Sequence, residues 1–414
     1  MQISSFKISG FTPNLHGISD PIVFLNSNGQ GDQFLAIGKK EELILWPDEP
    51  DVLKSLDRFT NSRGKWIFGF LSYDLKNEIE KLDVSVPQLF KTPLAHLIVP
   101  EIVIRWNKDG MEVSGEKDGL DLSAIFAHSA AVQRIDQNIP LSFRISEKEY
   151  IESVESLKRH IAFGNIYEIN FCQELGAIVD LPESYQQYLR LNEHTRAPFS
   201  AFLRLGNLDV MCASPERFLR KRGSELISQP IKGTARRSFD AAEDNNLKDS
   251  LHKSEKDRME NVMIVDLVRN DLSRFAQRGS VKVDELYGVH TFKTVHHLIS
   301  TITCEVPEEV SFADIIKATF PMGSMTGAPK ISSMNLIDSH ESSCRGLYSG
   351  TIGYMAPNGD FDFNVVIRSL IYHRSEKYLS CSAGGAITTL SDAKQEHIES
   401  LLKAEAIQRS LSMQ

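Results

Sequence analysis

Several groups of residues in this sequence carry side chains suited to chemistry. Residues 227–237 form a strand-like run that breaks at Gly233, with Lys232 immediately before the break. A lysine so placed acts as a nucleophile when desolvation or a cationic neighbour lowers its pKa, and Arg236 and Arg237 are at hand for that role. The same lysine also reads as an ordinary exposed side chain. Upstream, Glu216 follows Pro215, and a carboxyl there serves as general acid or base if burial raises it towards neutrality. Further on, Asp257 with Glu260 and Glu396 with Glu399 are spaced to share one face of a helix. Facing each other across a cleft, four such carboxylates would suit a hard cation such as Mg²⁺, which takes few direct protein ligands. The alternative is two solvated helix faces, with Glu399 pairing with Lys403. Glycine-rich turns at residues 320–330, 348–354 and 382–387 would let backbone N–H groups approach an anion. No phosphate-loop, G-x-S-x-G or H-E-x-x-H pattern occurs, which argues against nucleotide hydrolysis and zinc-protease chemistry.

The elements that must position these groups are of two kinds. Residues 1–135 alternate short β-like runs, such as 21–25, 43–46 and 97–106, with polar turns. Within them an aromatic island, residues 64–75, reads as a buried strand packing on the next helix. A helix is expected to open near Ser146, with Glu147 and Glu149 in its first turn, and to run through Phe163. The main boundary falls just before it, leaving residues 145–411 as the chemistry-bearing part. There the runs 346–355, 361–373 and 378–387 follow one another without an intervening helix, and Asn358-Gly359 is hairpin-turn chemistry. Consecutive antiparallel strands imply an α+β fold, a layered sandwich of large antiparallel sheets flanked by helices.

Bulk properties narrow the function classes. At 414 residues the chain is long enough for a large core. Its net charge of -9 argues against a nucleic-acid or anionic-membrane binder. The five cysteines are scattered without a C-x-x-C pair, as expected of reduced thiols in a cytoplasm. No basic leader and no apolar stretch long enough to span a bilayer is present, so neither export nor membrane insertion is expected.

The motifs above, together with residues 266–272 and 295–301, resemble the chorismate-utilising family, which contains anthranilate, aminodeoxychorismate, isochorismate and salicylate synthases. The resemblance is strong over about residues 145–410 and touches the N-terminal half only at residues 64–75. It implies that Glu260 and Glu399 ligate Mg²⁺ directly, with Asp257 and Glu396 acting through water, and that the metal binds the ring carboxylate of chorismate. It implies that Tyr348 and Arg368 hold the enolpyruvyl carboxylate, where a planar guanidinium suits bidentate recognition. Backbone donors near Gly384 and Gly385, with Lys403, would hold the other carboxylate. Thr234 joins the substrate-binding set, His297 sits beside the departing hydroxyl, and Gly327 and Lys330 mark a loop lining the same pocket.

Within the family, the residue before Gly233 divides the chemistries. Lys232 in P-I-K-G-T is similar to the aminating branch that makes 4-amino-4-deoxychorismate for 4-aminobenzoate and folate synthesis. The nearest alternative is an anthranilate synthase large subunit. The implied route has Lys232 attack ring carbon 2 while Glu216 helps the carbon 4 hydroxyl leave, after which ammonia adds at carbon 4 and expels the lysine. No stretch resembles a glutamine amidotransferase, so ammonia is expected from a separate glutaminase subunit or from solution. Two departures stand out: Glu168 replaces the glutamine usual in aminating members, and Ala386 replaces a common third glycine.

Overall fold

Strands buried on both faces build the centre of the molecule. In the computed structural model, which describes residues 11–61, 64–82, 86–116, 118–132, 138–293 and 295–412, the strands form two antiparallel sheets. The first runs from Gly327–Ala328 through Glu168–Ile178, Tyr378–Ile387, Ser369–His373, Leu208–Ser214, Phe199–Leu205, Ile22–Asn26, Gln33–Ile37 and Ile102–Asn107 to Gly110–Gly115. The second runs from Ile231–Arg236 through Val295–Glu305, Glu225–Gln229, Arg217–Arg222, Phe361–Asn364, Thr351–Met355, Ile67–Leu71 and Ala95–Val99 to Glu41–Leu45.

Side chains alternate across each strand, so the two faces of the first sheet feed different cores. Val23, Phe34, Ala36 and Val210 pack with Phe68, Phe70, Leu97, Ile352 and Phe363 of the second sheet. The intervening Ile22, Phe24, Leu35 and Met211 pack instead with Tyr185, Tyr188 and Leu189 of the helix Ser184–Thr195 and with Ile407 of the helix Ala393–Ser410. This double burial is why the strands read as continuous apolar runs. The layered α+β sandwich with flanking helices is what forms.

Several local expectations hold and two need correction. The helix Glu147–Ala162 opens on a capping box, Ser146 accepting from the Glu149 N–H while the Glu149 carboxylate accepts from the Ser146 N–H, and ends at Phe163. Residues 64–75 contain the central strand Ile67–Leu71, and across the Asn358-Gly359 turn Met355 pairs with Phe361. Residues 97–106, however, are two strand segments in different sheets: Ala95–Val99 ends at Pro100, which cannot donate to a ladder, and Ile102–Asn107 joins the other sheet. Residues 361–373 likewise split, Phe361–Asn364 in the second sheet and Ser369–His373 in the first, with Arg368 between them in a left-handed conformation (φ 52°). Apolar periodicity cannot show that a chain changes sheets.

The described strands from before residue 135 stand in both sheets: Ile22–Asn26 pairs with Phe199–Leu205, and Ile67–Leu71 with Thr351–Met355. The described parts of 1–135 and 145–411 therefore share both sheets and the core between them. No helix among the described residues is long and apolar enough to cross a membrane.

Gly69 and Gly353 face each other across the central pair of the second sheet. A Cβ on Gly69 would stand 2.0 Å from the His96 carbonyl oxygen, at a φ of 147° that side-chain-bearing residues avoid. Gly69→Ala is expected to cost about 2–4 kcal/mol through overpacking and backbone strain, read as a lower urea midpoint at unchanged slope.

Candidate active site

The chemistry-bearing residues gather where the chain passes from one sheet to the other. Glu216 lies between Leu208–Ser214 of the first sheet and Arg217–Arg222 of the second. Arg368 lies on the return crossing, and the two crossings are stitched together: the Val365 N–H donates to the Glu216 carbonyl (3.0 Å) and the Ala213 N–H to the Arg368 carbonyl (3.2 Å). Sheet-switching corners of this kind break the ladder and free side chains to point into the space between layers.

Lys232 reaches that space through a bulge. Ile231 pairs with Ile299 but Thr234 with His297, so the strand Ile231–Arg236 carries one residue more than its partner between those pairs. Gly233 supplies the turn at φ 84°, and a Cβ there would press within 3.1 Å of Asp257. Lys232 is 8% exposed, and its Nζ donates to Glu168 Oε1 at 2.6 Å; Glu168 is itself buried. Burial alone would lower the lysine's pKa, but Glu168, Glu260 and Glu216 outweigh it and hold it above its ordinary value. Here the cationic-neighbour expectation is corrected: Arg236 pairs with Glu243 and Arg237 with Asp244, away from Lys232. Charge on the facing elements, not along the strand, governs this amine.

Glu216 is buried and accepts a hydrogen bond from Ser324 Oγ at 2.7 Å. Burial pushes its carboxyl up to about 7, against the opposing pull of Ser324 and Lys232. A carboxyl poised near neutrality is suited to proton transfer. His297 shares a hydrogen bond with Thr234 Oγ1 (2.9 Å), and burial, then the Arg368 charge, hold it down to about 3, so its ring is neutral.

The two acidic helices do face one another. Glu255–Ser273 and Ala393–Ser410, capped by Ser254 and Asp392, bring Glu260 and Glu396 to opposite sides of Lys256, whose Nζ lies 3.0 Å from Glu396 and 3.9 Å from Glu260. Glu396 also accepts from Ser391 Oγ. Glu399 is half-exposed and pairs with Lys403 at 2.8 Å; despite partial burial, Lys403, Lys256 and Lys232 keep its pKa low. Burial lifts Glu260 to about 7, opposed first by Lys232. Among the described residues no three carboxylate, histidine or cysteine side chains already stand together as a ligand set, because Lys256 holds the place between them. Yet the buried Glu260 Oε1 accepts no hydrogen bond. An orphaned carboxylate oxygen amid hard oxygen donors fits a divalent cation.

Around this cluster lie groups suited to an anionic ligand. The Arg368 guanidinium makes no hydrogen bond or ion pair among the described residues; burial lowers its pKa, and the neighbouring Tyr348 opposes this. The Tyr348 hydroxyl lies 3.5 Å from Cys172 Sγ. Gly384 is locked against the strand Glu168–Ile178, where a Cβ would strike the Phe171 carbonyl at 2.1 Å. A Cβ on Gly385 would stand 3.4 Å from both Glu396 Oε2 and Lys403 Nζ, so its glycine leaves room beside the acidic cluster. Lys403 donates to the Gly384 carbonyl at 2.9 Å. By strand alternation the Ala386 methyl points away from the Gly385 side.

The structure thus brings together Lys232, Glu216, Thr234, His297, Asp257, Glu260, Glu396, Glu399, Gly384, Gly385 and Lys403, with Tyr348 and Arg368 at one side. Lys330 is committed elsewhere, donating to Asp271 and to the Thr319 carbonyl, while Gly327 packs on the Glu168 backbone. Sequence reading missed Ser324 and Lys256. The i,i+4 spacing of Lys256 to Glu260 signalled the latter; nothing local signals Ser324, whose role depends on long-range packing.

Residues 20–409 match the pattern of a chorismate binding enzyme. The chain is 31% identical over 362 residues to aminodeoxychorismate synthase component 1 of Bacillus subtilis, covering 83% of this chain and 76% of that protein. It is 42% identical over 267 residues to the Escherichia coli protein of the same name, a match spanning 64% of this chain but only 58% of that relative's length. Its fold superposes with a TM-score of 0.78, at 26% identity, on anthranilate synthase component I from Streptococcus pneumoniae, covering 91% of this chain and 92% of that one. The chain belongs to the chorismate binding enzymes.

The Glu216 carboxyl sits near 4.5 ordinarily and about 7 when folded. Between those values the folded protein holds a proton that the unfolded chain has released, so stability falls as pH rises through the interval. Glu216→Gln removes this contribution. Relative to wild type, the variant is expected to gain on the order of 3 kcal/mol between about pH 4.5 and 7, measured by denaturant unfolding across that range.

Proposed function

We propose that the protein is the synthase component of an aminodeoxychorismate synthase, converting chorismate and ammonia to 4-amino-4-deoxychorismate through a covalent bond to Lys232. The observation that carries this reading is the buried Lys232 amine, held beside a near-neutral Glu216 and facing the acidic cluster. An enzyme adding ammonia directly to the ring needs no amine there. Arg368 and Tyr348 suit one carboxylate of chorismate, and Lys403 with the space over Gly385 suits the other.

Glu260 and Glu399, with Asp257 and Glu396 as partners, would hold Mg²⁺, which supplies positive charge to the ring carboxylate. The chain's own residues do the rest. Lys232 Nζ forms a bond to ring carbon 2, the ring electrons shift, and the carbon 4 to oxygen bond breaks with the Glu216 proton leaving in water. The neutral His297, fixed by Thr234, orients the departing hydroxyl. Ammonia then bonds to carbon 4, the carbon 2 to nitrogen bond breaks, and Lys232 is released as an amine; Glu216 takes a proton from the new ammonium. The word "component" in the relatives' names supports a separate glutaminase as the ammonia source.

Two measurements test this. Wild-type protein mixed with chorismate and Mg²⁺, without ammonia, is expected to gain mass on Lys232 by peptide mapping, and Lys232→Ala to gain none; an unmodified wild-type protein overturns the covalent route. With ammonia, 4-aminobenzoate fluorescence should appear only after a lyase is added, whereas immediate anthranilate fluorescence identifies the other branch. Glu216→Gln is expected to slow turnover roughly 10²–10⁴-fold.

A further inference from the structure

We propose that Glu168 is the proton acceptor that converts Lys232 into a nucleophile, holding the proton inside the site until the lysine is released. The inference rests on the covalent role of Lys232 proposed above.

An ammonium has no lone pair, so Lys232 must lose a proton before it can bond to carbon. Glu168 Oε1 lies 2.6 Å from Nζ, and among the described residues it is the one carboxylate in ion-pair contact with it. The other charged groups acting on the amine are Glu260 from one acidic helix, Glu399 from the other and Glu216 from the sheet crossing, with Asp257 beside Gly233 and Lys256 against Glu260. Glu216 is held by Ser324 and is needed protonated as the acid, which leaves it unfit to receive another proton. Glu168 has the capacity: it is 1% exposed and its second oxygen, Oε2, is buried without a hydrogen-bond partner. That oxygen leaves Glu168 with an acceptor not committed to any other group.

The step balances. The proton moves from Nζ to Glu168 Oε1 as Nζ bonds to carbon 2, giving a secondary ammonium on the lysine and a neutral Glu168. When ammonia bonds to carbon 4, the carbon 2 to nitrogen pair returns to nitrogen, the lysine leaves as a neutral amine, and Glu168 gives its proton back.

The test is the pH dependence of adduct formation without ammonia, followed by stopped-flow mass spectrometry in wild type and Glu168→Gln. With an internal acceptor, the wild-type rate is flat between about pH 5 and 6, below the titration of Glu216 centred near 7. In Glu168→Gln the proton must go to solvent, so the rate should rise about tenfold per pH unit over the same range. A variant as flat as wild type overturns the proposal. Infrared difference spectra of wild-type adduct formation give a second readout that does not need the variant: a new protonated-carboxyl band supports the proposal, and only a loss at Glu216 overturns it. Wild-type protein that forms no adduct at any pH overturns the covalent reading and this inference together.

Discussion

A buried ammonium surrounded by more carboxylates than it can neutralise is the constraint on which the site depends. Lys232 is paired with Glu168, but Glu216 and Glu260 also sit in the low-dielectric space between the sheets. Removing a carboxylate from water is costly unless it is paired, so burial raises both carboxyls to about 7, and for Glu260 the neighbouring Glu168 and Asp257 add to the effect. One physical circumstance therefore creates a proton donor near neutrality and a cluster short of positive charge. Lys256, between Glu260 and Glu396, partly meets that shortage.

The fold produces this arrangement by letting strands change sheets. Glu216 and Arg368 lie on two adjacent crossings, each flanked by well-packed strands, so their backbones are fixed although they belong to no ladder. The bulge at Gly233 aims Lys232 off an edge strand toward the helix Glu255–Ser273. The close approach of Gly384 to Phe171 seats the strand Tyr378–Ile387 against Glu168–Ile178. The first position places Lys232 and the second brings Lys403 and the acidic pair of the terminal helix over the same space. Side chains that must meet thus come from both sheets and two helices, whose backbones core packing holds in place while hydrogen bonds such as Lys232 to Glu168 link the side chains themselves.

Much of the site was legible in the order of its residues. The i,i+3 carboxylate pairs fall on capped helices, Ser146 opens its helix with a capping box, and Asn358-Gly359 makes its hairpin. The architecture was legible too, since consecutive strands without helices leave little but antiparallel sheets. Electrostatics was read less well. Arg236 and Arg237 look like neighbours of Lys232 along the chain, yet they pair instead with Glu243 and Asp244.

The sequence by itself determined residue chemistry, helix faces and turns, because these depend on interactions a few residues apart. Only the tertiary structure decided that the apolar runs at 97–106 and 361–373 divide between two sheets, that Ser324 supports Glu216, and that Glu168 rather than an arginine faces the amine. The reason is that burial and electrostatic energy depend on distance in space. Glu168 and Lys232 are far apart along the chain and reach hydrogen-bond distance only when both sheets and the acidic helices are in place.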